Sequence, residues 1–143
     1  MDSGSDTTTL ATPDEIRARI RSEHAQISAQ LARVEALTER VDDGDSKSVI
    51  TLRDEIQRLR TMLVEHLHYE EYQVPSLAAA ERADEVAEDM RRDHRAQREL
   101  FDRIIRELDE TAVGAKLVVG VREIARAIRD DMEYEERELL NRP

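Results

Sequence analysis

Cysteine and tryptophan are missing from this 143-residue chain, and glycine, proline and aromatic residues are scarce. The absence of cysteine excludes disulfides, thiolate metal sites and cysteine nucleophiles. With 4 Gly and 3 Pro, the composition favours long helices over strands and turns. Since the aromatic residues are limited to 3 Tyr and 1 Phe, the core must be built mainly from aliphatic side chains.

The sequence also lacks the signals of several classes of function. Its longest apolar run, LVVGV at 117–121, is far too short to span a bilayer. A formal net charge of −11 argues against nucleic-acid binding and against docking on anionic membranes. Because the start MDSGSDTTTL is polar and has no basic region, we expect no signal peptide and a cytoplasmic location. Nucleophilic constellations and a glycine-rich phosphate loop are absent, so no catalytic residue is singled out, and any organic substrate or protein partner stays unknown.

What the sequence does contain is four long amphipathic segments joined by short links. Residues 1–11 are rich in Ser, Thr, Asp and Gly and are predicted to form a disordered tail ahead of one domain, 12–143. TPDE predicts a helix start, with Thr12 as N-cap, Pro13 at the first position and Glu15 completing a capping box. The predicted helices cover about 13–41, 47–73 (with Asp45 or Ser46 as N-cap), 83–110 and 115–140. This order predicts an all-α, antiparallel up-down-up-down four-helix bundle.

Each helix has a stripe of residues at spacings of three and four that should face the core. Every stripe contains ionisable residues where apolar ones are expected. The six are His24, His66, Glu70, His94, Asp131 and Glu135. His66 and Glu70 lie four apart and project together, as do Asp131 and Glu135. At a rise of about 1.5 Å per residue, all six reach one level of an antiparallel bundle. His68 should face outward.

The apolar members of the four stripes define the predicted core. They are Ile16, Ile20, Ile27, Leu31, Val34 and Val41; Val49, Leu52, Ile56, Leu59, Leu63 and Val74; Ala87, Met90, Phe101, Ile104 and Leu108; and Leu117, Val121, Ile124, Ile128 and Leu139.

Three carboxylates and three imidazoles at one level of a core need partners. An unpaired buried carboxylate costs several kcal/mol, on the order of the stability of a whole domain. Divalent cations would neutralise the carboxylates and accept neutral imidazoles as ligands. Taken singly, each histidine also suits a hydrogen-bonded core position, and Asp131 and Glu135 lie in the acidic run DDMEYEERE, which suits a surface. The joint pattern on four helices favours a metal site.

Three neighbours are candidate cofactor-binding residues. Gln97, one turn beyond His94, either adjoins the metal ligands or is a buried amide with its own hydrogen bonds. Tyr69 and Tyr134 each precede a candidate glutamate, and either line the metal pocket or pack at a helix interface. Four acidic neighbours are expected on flanking faces, namely Glu23, Glu71, Asp93 and Glu136.

The sequence repeats itself, since EHLHYEEYQ aligns with DDMEYEERE and SEHAQ aligns with RDHRAQ. These segments resemble the hemerythrin-like (HHE cation-binding) domain family over about residues 14–140. The family pattern H…HxxxE…H…HxxxE lies on a four-helix bundle with a non-haem di-iron site. The chain matches this pattern in order except at Asp131, where the fourth helix of the family normally has histidine.

The resemblance implies two iron ions bridged by oxo or hydroxo groups and carboxylates. Glu70 and Glu135 would bridge them, His24 and His66 would complete one iron, and His94 and Asp131 would serve the other. Oxygen-carrying members often have a further histidine at the position of Met90, and a thioether is a poor ligand for hard iron. With carboxylate replacing imidazole, we expect easier oxidation and poorer reversible dioxygen carriage.

The resemblance therefore implies a protein that binds or reduces dioxygen or peroxide, as an oxidase, a peroxide-handling protein or a redox or oxygen sensor. One alternative is an iron- or metal-binding storage or sensing module without turnover. Another is a structural bundle with a vestigial site. A separate possibility is that the chain holds the second metal weakly and behaves as a mononuclear site.

Overall fold

The first helix begins where its capping sequence predicts. A computed structural model of the chain describes residues 11–110 and 115–140. Helix α1 (Pro13–Asp42) follows Thr12, whose hydroxyl accepts a hydrogen bond from the Glu15 amide at 3.1 Å. The Glu15 carboxylate in turn accepts from the Thr12 amide at 2.8 Å, so the predicted capping box is confirmed. The predicted tail lies outside the described residues except for Ala11, which packs against the core.

The remaining elements follow the predicted order. They are α2 (Ser48–Gln73), two 3-10 turns (Val74–Leu77 and Ala80–Arg82), α3 (Ala83–Glu110), α4 (Ala115–Glu135) and a π-helical turn (Glu136–Leu140). The described residues contain no strand. The all-α bundle and the bounds of the first three helices are confirmed, whereas the fourth segment ends in a π turn rather than in α-helix.

The link between α1 and α2 differs from the prediction in its cap. Lys47 takes the N-cap position and offers no side-chain hydrogen bond, so the assignment of Asp45 or Ser46 to that position is wrong. Gly44 turns the chain with a φ of 102°. The Asp45 carboxylate then accepts hydrogen bonds from the Lys47 amide at 3.2 Å and the Ser48 hydroxyl at 2.9 Å. It therefore stabilises the turn just before the helix.

Contacts between helices establish the antiparallel arrangement. Between α1 and α4, Arg122 pairs with Glu39, whereas Arg21, near the other end of α1, donates to the carbonyl of Leu140. Between α2 and α3, Arg60 pairs with Asp102 and Glu71 with His94. Between α3 and α4, Arg103 pairs with Glu123 and Gln97 with Asp131. Partner numbers fall on one helix as they rise on the other, so neighbouring helices run in opposite directions.

The core consists of two apolar clusters with a polar layer between them. The larger cluster includes Leu31, Leu59, Phe101 and Ile124 in the middle of the bundle. The smaller one consists of Ile16, Ile20, Val74, Met90 and Leu140 near one end. Along α1 and α3 the candidate metal ligands lie between the two clusters, whereas on α2 and α4 Leu67 and Met132 of the larger cluster each lie between two candidate ligands. The helices therefore place an acid–imidazole layer between two dry layers.

Most of the predicted core positions are buried. Val41, Val49 and Ala87 are only partly buried, and the side chains of Leu108 and Leu139 lie outside the described residues. Several buried residues lie outside the predicted stripes, namely Leu37, Thr38, Glu55, Leu67, Val118, Ala125 and Met132. These lie beside the stripes, because a helix in a closed bundle buries a wider arc than one seam.

The fourth segment ends in a residue that the predicted stripe did not include. Leu140, five residues after Glu135, is 2% exposed and packs in the smaller cluster. Because a π turn is closed by hydrogen bonds between residues i and i+5, it favours residues five positions apart, such as Glu135 and Leu140, on the same face. In the part of the chain that the structure describes, no helix combines the length and apolarity needed to cross a membrane.

Candidate metal centre

The six predicted ligands come together in two groups of donor atoms. One group is His24, His66, Glu70 and Glu135, and the other is Glu70, His94, Asp131 and Glu135. Within each group, one donor atom from every residue lies within 4.8 Å of all the others. Five of the six residues are at most 3% exposed, whereas the Asp131 side chain is 19% exposed. The predicted convergence of all four helices at one level is therefore present.

Glu70 and Glu135 belong to both groups. Each directs one carboxylate oxygen toward a histidine of the first group and the other oxygen toward His94 of the second group. Oε2 of Glu70 lies 2.9 Å from Nε2 of His66 and 3.4 Å from Nε2 of His24, whereas its Oε1 lies 3.4 Å from Nε2 of His94. Oε1 of Glu135 lies 3.0 Å from Nε2 of His24, and its Oε2 lies 3.8 Å from Nε2 of His94. This arrangement is suited to two carboxylates that bridge a pair of cations.

Four buried nitrogen and oxygen atoms that could bind metal in this layer have no hydrogen-bond partner. They are Nε2 of His66, Nε2 of His94, Oε1 of Glu70 and Oε2 of Glu135. Nε2 of His66 is close to Glu70, but the two atoms do not have hydrogen-bond geometry. Leaving a buried polar atom unpaired costs about 1–3 kcal/mol, and more for a charged group. Imidazole nitrogens and carboxylate oxygens are donors that divalent metal cations accept, so the residues present fit bound cations.

Each candidate histidine has a carboxylate on its other ring nitrogen. Nδ1 of His24 lies 2.7 Å from Glu136, and Nδ1 of His66 lies 2.7 Å from Glu23. Nδ1 of His94 lies 3.0 Å from Glu71, which also accepts from Arg98 at 2.6 Å. A carboxylate that accepts the Nδ1 proton leaves the Nε2 lone pair directed at the metal position.

Sequence analysis missed this outer set of carboxylates. Glu23, Glu71 and Glu136 are partly exposed, as expected of flanking residues, yet each reaches an imidazole across a helix interface. Each directly precedes or follows a candidate ligand, and that adjacency was the available signal. Asp93 has the same adjacency to His94 but pairs only loosely with Arg92, at 3.9 Å. Adjacency alone therefore does not identify the outer carboxylates.

The electrostatics of the layer show how strongly its groups interact. Burial lowers the pKa of His24, but hydrogen bonds with Glu135, Glu70 and Glu136 outweigh burial and raise it to about 10. Burial also opposes protonation of His94, whose pKa rises to about 12 because three carboxylates, led by Asp131, surround it. Burial together with the neighbouring Glu70 holds the pKa of Glu135 well above its ordinary value. Without metal, protons on His24 and His94 offset carboxylate charge in this layer.

The other predicted site residues take different positions. Gln97 is buried and donates to Asp131 at 3.1 Å, so it contacts a candidate ligand. Tyr134 is 50% exposed and lines a cavity beside the second group. Tyr69 packs against the smaller core cluster, with the Arg19 guanidinium 3.8 Å from its ring centroid. His68 is exposed, as its spacing from His66 predicts.

The family model described as the hemerythrin HHE cation-binding domain matches residues 15–142. The chain belongs to this family. The match covers both donor groups and all four helices, and it confirms the resemblance drawn from the sequence motifs. No curated protein and no solved structure gives a significant match. A hemerythrin HHE domain binds cations, and the two groups of buried donors are where this chain could hold them.

Proposed function

We propose that the chain is a non-haem di-iron protein that binds or reduces dioxygen or peroxide, as an oxidase, a peroxide-handling protein or a redox or oxygen sensor. The observation that carries the proposal is the placement of Glu70 and Glu135, each with one oxygen toward His24 and the other toward His94. Carboxylates shared in this way favour two adjacent ions over one. A cytoplasmic location is part of the same proposal.

The donor set supports iron as the metal. It combines imidazole nitrogen with carboxylate oxygen and contains no sulfur, a mixture typical of non-haem iron sites. Two ferrous ions bound there would supply the electrons that reduce dioxygen or peroxide. Asp131 in place of an imidazole adds negative charge, which favours the oxidised ions and makes reversible oxygen carriage the less suitable role.

The residues around the ligands would hold them in place. Glu136, Glu23 and Glu71 fix the rings of the three histidines through Nδ1. Gln97 donates to Oδ2 of Asp131, which restricts the rotation of that shorter and partly exposed carboxylate. The apolar clusters on both sides of the layer exclude water from the first donor group.

Metal content and redox behaviour of the purified chain test the proposal. We expect two irons per chain and an absorption spectrum of the oxidised protein that disappears with reductant and returns with air or peroxide. A chain with two irons that is inert to both oxidants would instead support a storage or sensing module. Substoichiometric and nonspecific metal binding would contradict both proposals and favour a structural bundle.

Replacement of Asp131 tests whether that residue is a ligand. In Asp131→His, an imidazole replaces the carboxylate of the second group, so we expect a shifted absorption spectrum and a longer-lived oxygen adduct. The matched control is Asp130→His, because Asp130 is the preceding residue and is exposed. If both variants kept the original spectrum, Asp131 would lie outside the coordination of the metal.

A further inference from the structure

A cavity of about 770 Å³ lies between α3, α4 and the 3-10 turns that follow α2, and it reaches the second donor group. We propose that this cavity binds a small, largely apolar organic molecule that carries a hydrogen-bond donor, namely an amine or an alcohol. The proposal deepens the proposed function, because it assigns a class of organic ligand to the space beside the second metal position.

The size and the walls of the cavity suit an organic ligand. Small-molecule sites are typically clefts of roughly 300–1,000 Å³ with mainly apolar walls. Here the apolar wall comes from all three elements, with Leu77 from the first 3-10 turn, Met90 and Leu100 from α3, and Ala127 from α4. Dioxygen or peroxide alone would fill only a small part of this volume.

The cavity gives access to one donor group more than to the other. Asp131 and Glu135 line it, and so does Gln97. His24 and His66, which belong only to the first group, do not line it and are each 3% exposed. A molecule in the cavity would therefore lie beside the second group, whose Asp131 is its most exposed ligand.

An unpaired acceptor in the wall indicates which polar group the ligand carries. Gln97 is 5% exposed, its amide nitrogen donates to Asp131, and its Oε1 has no hydrogen-bond partner. The same side chain lines the cavity, so a ligand whose donor reaches Oε1 would supply the missing hydrogen bond. An ammonium or hydroxyl group supplies that donor, whereas a carboxylate does not.

The charges of the lining agree with this choice. Apart from Asp131 and Glu135, four carboxylates line the cavity, namely Asp89, Asp93, Asp130 and Glu138. Among the described residues, Arg82 and Arg92 are the cations of the lining, and Arg92 already pairs with Asp89 at 3.0 Å. The remaining field is negative, so it disfavours an anion and favours a cation.

Methionine methyl groups provide a direct readout of binding. Met90 lines the cavity, whereas Met132 and Met62 belong to or pack against the larger core cluster and serve as internal references. The full chain with isotope-labelled methionine methyls, loaded with diamagnetic Zn(II), would be titrated with naphthylmethylammonium, naphthylmethanol and naphthoate. We expect a saturable change in the NMR chemical shift of the Met90 methyl group with the first two compounds. Naphthoate should bind roughly tenfold more weakly than either of them.

Filling the cavity with a larger side chain should prevent the two probes from binding. Ala96 is exposed on the cavity wall, so Ala96→Trp should abolish the Met90 shift and leave helicity and bound Zn(II) unchanged. Ala29→Trp on the exposed side of α1 is the matched control and should bind like the original chain. Absence of a saturable Met90 shift in the original chain, equal shifts at Met132, or tightest binding of naphthoate would each overturn the proposal.

The result of the probe titration is independent of the test of iron content and reactivity. A chain that holds two irons but shows no Met90 shift would overturn the organic-ligand site and leave the di-iron proposal standing. A chain that binds the two probes at Met90 but shows no iron reactivity would support the cavity site and contradict the redox function.

Discussion

At the scale of single residues, the chemistry of the centre depends on side chains that do not themselves face the metal position. Glu23, Glu71 and Glu136 each accept from Nδ1 of one candidate histidine. The ring nitrogen left over is Nε2, which faces the shared carboxylates. The outer carboxylates therefore select the tautomer in which Nε2 is free to bind a cation.

Removal of one outer carboxylate should weaken metal binding. In Glu23→Ala, Nδ1 of His66 loses its acceptor at 2.7 Å, so the ring is less basic and less well oriented. We expect a loss of roughly 10–100-fold in metal affinity, measured by competition with a chelator of known affinity.

Asp93→Ala provides the control for this change. Asp93 precedes His94 as Glu23 precedes His24, but it pairs with Arg92, at 3.9 Å, and not with an imidazole. We expect its metal affinity to stay close to that of the original chain. Equal losses in the two variants would show that general surface charge, rather than contact with the ring, is responsible.

At the scale of secondary-structure elements, the start of α1 and the end of the fourth helical segment help to position the candidate metal centre. The capping box at Thr12 sets the start of α1, three turns before His24. At the other end, the π turn Glu136–Leu140 follows directly after Glu135. It places Leu140 in the small cluster while Glu136 reaches His24. π turns inside helices are frequent at functional sites, and this one borders the donor layer.

Loss of the N-cap should destabilise the fold by a modest amount. Thr12→Ala removes the hydroxyl that accepts from the Glu15 amide, and such caps are worth typically about 1 kcal/mol. We expect the free energy of unfolding of the metal-free chain in urea to fall by that amount, with the denaturant slope unchanged.

Thr61→Ala is a suitable comparison for the cap. Thr61 is exposed inside α2, and its hydroxyl bonds only to the carbonyl of Gln57 in the same helix. Its replacement should change stability by less than about 0.5 kcal/mol. A cost at Thr61 equal to that at Thr12 would contradict the role of the cap.

At the scale of the whole molecule, four helices enclose acids and imidazoles that cannot all be charged without partners. The pKa of His24 is raised from 6.5 to about 10 and that of His94 from 6.5 to about 12, while that of Glu135 is raised well above 4.5. At neutral pH the metal-free layer therefore holds protons on His24 and His94, while the raised pKa of Glu135 favours its neutral form. Cations and protons compete for the same buried atoms.

Metal affinity should therefore increase with pH. Binding requires neutral imidazoles, so it releases the protons held by His24 and His94. Each proton released adds about a tenfold rise in affinity per pH unit below the corresponding pKa. Zn(II) titrations from pH 6 to pH 8 in a weakly buffered solution with a pH indicator would measure both the metal affinity and the number of protons released. Metal uptake without proton release would contradict the proposed donor set.

The stability of the metal-free fold should change in the opposite direction. A histidine whose pKa is raised on folding stabilises the fold below its unfolded pKa of 6.5, and this contribution is lost as the pH rises through about 10 for His24. Stabilisation by metal should consequently be largest at alkaline pH. Melting curves with and without chelator would show the difference.

The sequence by itself determined the four helices, the cap at Thr12, most of the core and the six candidate ligands. These features are periodic or local: helical spacing fixes which residues share a face, and a capping box involves residues three apart. The predicted convergence of His24, His66 and His94 followed from helix rise and alternating direction alone.

Tertiary structure decided what depends on distances between helices. The pairing of Glu23 with His66 and of Glu71 with His94 joins residues 43 and 23 positions apart, and helical spacing places those glutamates only on flanking faces. The cavity beside Asp131 likewise exists only because α3, α4 and the 3-10 turns meet there. Which flanking carboxylate reaches a ring depends on how neighbouring helices rotate and pack, and a one-dimensional pattern does not contain that information.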